Sequence, residues 1–196
     1  MFNKEQEEFI FKHLRRPEND KGIAEISAEI AKELEKVGGA PGVTPDIAKQ
    51  TAILMNLGET DERIAYIYDS SCNWKEHPEA IQLNKLHGEY SVEMAEKIGI
   101  DLTEEQKNVI SGHSKGEYNS ALGQIIKISE ICKATESPRW YRGEKKEPAK
   151  SWKEVYDVLK EDENLLPQMI SLAEIAYGRT KFPQNKEVEE LSREDD

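Results

Sequence analysis

The chain has 196 residues, 37% of them hydrophobic and 34% charged, and a formal net charge of −12. That length suits one domain with its own core. The carboxylate surplus excludes nucleic acid and anionic membrane surfaces as partners, because phosphate-bearing surfaces are held by an excess of Lys and Arg.

The opening Met1-Phe2-Asn3-Lys4-Glu5 carries no apolar leader, and no run approaches the roughly 18 apolar residues of a membrane span. Cys72 and Cys132 stand far apart without a CxxC pairing, as expected of reduced thiols in a cytoplasmic protein. Residues 1–19 read as a helical extension. Ile23, Ile26, Ile30, Leu34 and Val37 then step by three or four, an amphipathic helix closed by Gly38-Gly39 and Pro41. Pro45 suits the first turn of the next helix, whose stripe Ile47, Thr51, Leu54 runs to Gly58.

Pro78 to Ile98 reads as one long helix, with Ile81, Asn84, His87, Ser91 or Met94, and Ile98 on one side and Gly99 as its stop. Thr103-Glu104-Glu105-Gln106 is a capping box opening a helix through Val109, Ile110 and His113. Ile125, Ile128, Ser129 and Cys132 line the helix after it, and residues 143–150 read as a polar loop. Ser151-Trp152-Lys153-Glu154 forms a second capping box, leading the stripe Trp152, Val155, Tyr156, Leu159. A last helix follows Pro167 through Ile170, Ala173 and Ala176, and the charged stretch from Pro183 is expected to fray. The expectation is an all-helical, single-domain bundle over residues 20–180, with residues 181–196 as a charged tail.

Of the four histidines, His87 and His113 fall on or beside apolar stripes of separate helices. Two inward imidazoles on facing helices can form half of a metal site. They can equally be core histidines, each with one hydrogen-bond partner. His13 and His77 sit in polar surroundings and read as surface residues. Trp74, Trp140 and Trp152 suit either core packing or an exposed interface.

The stretch Ile128 to Arg142 resembles the late signature of HD-GYP-type phosphohydrolases, in which a helix reading roughly "IADVFDALTS" runs into "DRPYR". Ile128, Ala134, Ser137, Arg139, Tyr141 and Arg142 match without a gap. Ala52-Ile53-Leu54-Met55-Asn56-Leu57-Gly58-Glu59 falls where that family writes "ALLHDIGK". Leu86-His87-Gly88-Glu89-Tyr90 resembles its "HPxxG" element, Ile110-Ser111-Gly112-His113-Ser114 its "HHE" element, and Leu165-Leu166-Pro167 stands where "FDP" is usual. The resemblance implies a helical bundle of the HD-domain type, a divalent metal held by a His-Asp pair with further histidines and a late Asp, and a Lys after Gly on the substrate phosphate.

The metal-holding residues depart from that pattern. The His-Asp position reads Met55-Asn56, the Lys position Glu59, and the first-histidine position Asp20-Lys21; the GYP loop is missing. A thioether and a neutral amide are poor ligands for a hard cation. The surviving set is His87, His113 and Glu130, with Asn56 beside them, and no catalytic residue is expected. Arg139, Tyr141 and Arg142 are expected to pack rather than react.

The resemblance thus implies a catalytically inactive, HD-GYP-like module that binds a protein partner or a small nucleotide in a signalling role, without a cofactor. The alternative is a metal-dependent phosphohydrolase with an altered ligand set, using Mn, Fe or Zn on a nucleotide or cyclic dinucleotide.

Overall fold

A computed structural model describes residues 2–70, 72–73, 77–141 and 144–183. Trp74, Arg142 and the tail from residue 184 lie outside the described residues, as do the side chains of Trp140 and Tyr141. Helix α1 (Lys4–His13) starts on a capping box between Asn3 and Gln6. Its Ile10 and the following Leu14 are buried in the main core. Helix α2 starts at Pro17, three residues before the boundary read at residue 20, and Phe2, Phe9 and Phe11 pack against the same core as Ile10 and Leu14.

Helix α2 (Pro17–Lys36) is the spine, packing against α3 (Pro45–Leu54), α7 (Ala121–Ala134) and the end of the last helix. Ile23, Ile26 and Ile30 are buried along it, as their spacing requires, while Val37 lies past the helix end and is exposed. After α3 the chain tightens into two 3-10 turns, Leu57–Thr60 and Ala65–Tyr68.

The stretch expected as one helix from Pro78 to Ile98 is two: α4 (Pro78–Asn84) and α5 (His87–Lys97). At the break the N–H of Lys85 turns to the carbonyls of Gln82 and Leu83, and the Asn84 carbonyl accepts from the His87 ring instead of continuing the helix. The apolar stripe ends with it, leaving Ile81 on the surface. Helix α6 (Glu104–His113) opens on the Thr103–Gln106 capping box. In α7, Ile125, Ile128, Ser129 and Cys132 are all buried.

Residues expected as a polar loop form half of a hairpin, β1 (Arg139–Tyr141) pairing antiparallel with β2 (Glu144–Lys146). Three residues per strand are too few for alternation to be visible. Helix α8 (Trp152–Leu159) buries Trp152, Val155 and Leu159 but leaves Tyr156 exposed. Only half of its expected box is present: Ser151 accepts from the Glu154 N–H, while the Glu154 carboxylate takes the Lys150 N–H. Helix α9 (Pro167–Ala173) runs into a π turn at Glu174–Gly178. Among the described residues, no helix is long and apolar enough to cross a membrane.

Candidate functional site: a histidine pair at a helix crossing

Two glycines bring the site together. A Cβ on Gly58 would lie 2.1 Å from the His87 carbonyl oxygen and 2.6 Å from the Ser91 nitrogen. The turn at Leu57–Thr60 therefore lies directly on the α5 backbone, and the Ser91 hydroxyl fastens it, donating to the Met55 carbonyl and accepting from the Gly58 N–H, each at 2.8 Å. A Cβ on Gly88 would lie 2.2 Å from the Ile110 carbonyl oxygen. Helices α5 and α6 thus cross at backbone contact, and His87 at the start of one meets His113 at the end of the other.

The two rings meet edge to face, Nε2 to Nε2 at 2.9 Å. Each is held from behind in the same way: His87 Nδ1 lies 2.6 Å from the Asn84 carbonyl, and His113 Nδ1 lies 2.6 Å from the Ile110 carbonyl. A carbonyl can only accept, so each Nδ1 must carry a proton. Neutral imidazoles have one N–H apiece. Both Nε2 atoms then present lone pairs to each other.

A third acceptor joins them. The Asn56 amide donates through Nδ2 to Asp20 Oδ1 at 3.0 Å, which turns its own Oδ1 toward His113 Nε2 at 3.4 Å. Tyr68 completes the shell, its hydroxyl donating to Asn84 Oδ1 at 2.7 Å and lying 3.2 Å from His87 Nδ1.

The electrostatics follow from loss of water. Burial pushes both imidazoles down to about 4, so the pair is neutral at pH 7. Burial raises the carboxyls of Asp20, Glu59 and Glu130, with the Arg16 guanidinium opposing the rise in each. Arg16 itself holds buried Glu59 at 3.1 Å. Arg15 is committed as well, donating to the Tyr68 carbonyl and lying over its ring.

Of the residues singled out in the sequence, the structure brings together His87, His113 and Asn56, with Asp20 behind them. Glu130 lines a crevice with His113 and Lys127 that has no room for a water molecule. Met55 is buried in the apolar core. Arg139 sits on β1 and lines a groove that shares no residue with the histidine cluster. Among the described residues, no three His, Cys, Asp or Glu side chains are grouped as a metal site, and the third neighbour of the pair is a neutral amide.

Arg16 and Tyr68 are the members that sequence reasoning missed. Arg16 left one signal: it is the N-cap of α2 without a capping bond, where the helix dipole disfavours a cation. Such a placement asks for a nearby carboxylate, and Glu59 is that partner.

No family model, curated protein or solved structure matches this chain. The likeness to HD domains rests on the motif residues alone.

Proposed function

We propose that this chain is a non-hydrolytic module of HD type, which regulates by binding a protein partner or, as the alternative ligand, a small nucleotide. The observation that carries the reading is the state of Glu59. Where the resemblance calls for a lysine on the substrate phosphate, a buried carboxylate stands, tied to Arg16 at 3.1 Å. This pair spends the cation of Arg16 within the fold.

The test is turnover of nucleotides and cyclic dinucleotides with Mn, Fe or Ni added to the purified protein. None is expected. Metal-dependent turnover abolished by both His87→Ala and His113→Ala would overturn the proposal.

One observation favours a second reading, a bound divalent metal. Three acceptors, His87 Nε2, His113 Nε2 and Asn56 Oδ1, face one another without a donor. Imidazole rings held from behind by carbonyls are the usual arrangement of metal ligands, and this donor set suits a borderline cation such as Zn better than Mg. Elemental analysis of the purified protein separates the two readings: about one metal per chain, lost in His87→Ala, supports the second, and a metal-free protein the first.

A further inference from the structure

Helices α1, α2 and α3 frame a groove of about 300 Å³ that shares no residue with the histidine cluster. That volume is at the lower end for small-molecule sites, ~300–1,000 Å³. Its apolar lining is Phe2, Phe11 and Ile53. The Phe11 ring already holds an ammonium: Lys21 Nζ lies 4.7 Å from its centroid while bonded to Glu18 at 2.9 Å. Glu18 neutralises that lysine. The charges left on the rim are Glu7, Glu25, Asp46 and Lys49, which form no ion pair among the described residues. The rim is therefore acidic, on a chain of net charge −12.

We infer that this groove binds a small organic cation with a flat apolar body, an arylalkylamine. Its body lies against Phe2 and Ile53 and displaces the Lys21 ammonium from the Phe11 ring, and its own ammonium faces the carboxylates of Glu7, Glu25 and Asp46. Each part has its physical reason. The Phe2, Phe11 and Ile53 side chains take the apolar body out of water. The negative faces of the rings attract a cation and repel an anion. The unpaired carboxylates add attraction of the same sign, and the field of the whole chain concentrates cations near the mouth. Lys21 and Ile53 stand within the HD-like motif stretches, but the site uses none of Arg16, Glu59, His87 and His113, on which the proposed function rests, so either proposal can fail alone.

The experiment is an NMR titration of the full chain with 2-phenylethylamine and, separately, with 3-phenylpropionate, which has a similar body and the opposite charge. Saturable shifts are expected for the amine at Phe11, Lys21, Glu25, Lys49 and Ile53, with the anion bound at least about tenfold more weakly. Glu25→Lys, a change at an exposed position that leaves the core intact, should weaken amine binding by about fivefold or more and narrow the preference. Phe11→Ala should weaken both probes. Absence of saturable shifts, equal binding of amine and anion, or shifts mapping away from the groove would each overturn the inference.

Discussion

His87 and His113 touch through Nε2 at 2.9 Å, while each Nδ1 is fixed by the carbonyl three residues earlier in the chain. The two neutral rings supply two protons for these three contacts, so one contact must lack a proton. A third proton would satisfy all of them but would place a charge where burial opposes it. The pair is therefore a built-in point of frustration, relieved only by a donor or a cation.

A donor can be supplied by substitution. The side-chain nitrogen of a glutamine occupies nearly the place of His113 Nε2 and carries hydrogens. His113→Gln should therefore be within about 1 kcal/mol of the parent at pH 7. The pH dependence should differ more. With folded values near 4, below the unfolded value of about 6.5, the rings contribute stability that is complete above pH ~6.5 and is lost as pH falls toward 4. Asp20, Glu59 and Glu130, raised by burial, contribute in the opposite sense, losing their stability as pH rises through their folded values. Both proteins share those carboxyls, so their difference isolates the imidazoles. Urea denaturation at pH 7 and pH 5 should show the parent losing about 2 kcal/mol more than the variant; parallel losses would contradict the frustrated pair.

A cation can be invited by introducing a carboxylate. Asn56→Asp replaces the amide that donates to Asp20 at 3.0 Å with a second carboxylate, which should cost about 3 kcal/mol in metal-free buffer. Adding Met55→His supplies a third imidazole if residues 52–59 follow the HD pattern. The double variant is expected to bind Mn or Fe measurably by calorimetry, and the parent weakly or not at all. Excess metal at about 100 times its Kd should return about 2.7 kcal/mol. Negligible binding in both proteins would mean that position 55 does not face the pair.

The Arg16–Glu59 pair joins an exposed cation to a buried carboxylate. Arg16→Met leaves Glu59 without its partner, for an expected loss of about 1–3 kcal/mol at pH 7. The loss should shrink toward pH 5, because Glu59, raised further, takes up a proton in the fold. Adding Glu59→Gln should recover most of the stability at pH 7. Failure of the second change to rescue the first in thermal melts would show that Arg16 acts elsewhere.

Gly58 and Gly88 are spacers. Alanine at either would drive a methyl group into carbonyl oxygens at 2.1 or 2.2 Å, which belong to backbone and cannot swing away. Each substitution should cost about 3 kcal/mol or more. Gly88→Ala should also part the two rings, visible as changed imidazole resonances of both histidines. Full stability in Gly88→Ala would refute the close crossing of α5 and α6.

The amphipathic stripes of α2 and α7 and the Thr103 capping box were legible in the sequence, because they depend on neighbours three or four residues apart and repeat with the helix turn. His87, His113 and Asn56 were singled out there by motif position. Their mutual geometry was not legible. The break at Lys85–Leu86 leaves the Asn84 carbonyl facing a side chain, the crossing at Gly88 brings together residues 26 apart, and the Asp20–Asn56 bond joins residues 36 apart. Such contacts are set by how closely two backbones approach, a property of helix pairs that no single stripe records. Glu59 makes the same point: as a letter it reads as a charge repelling phosphate, and only the packing of its turn against α5 buries it beside Arg16.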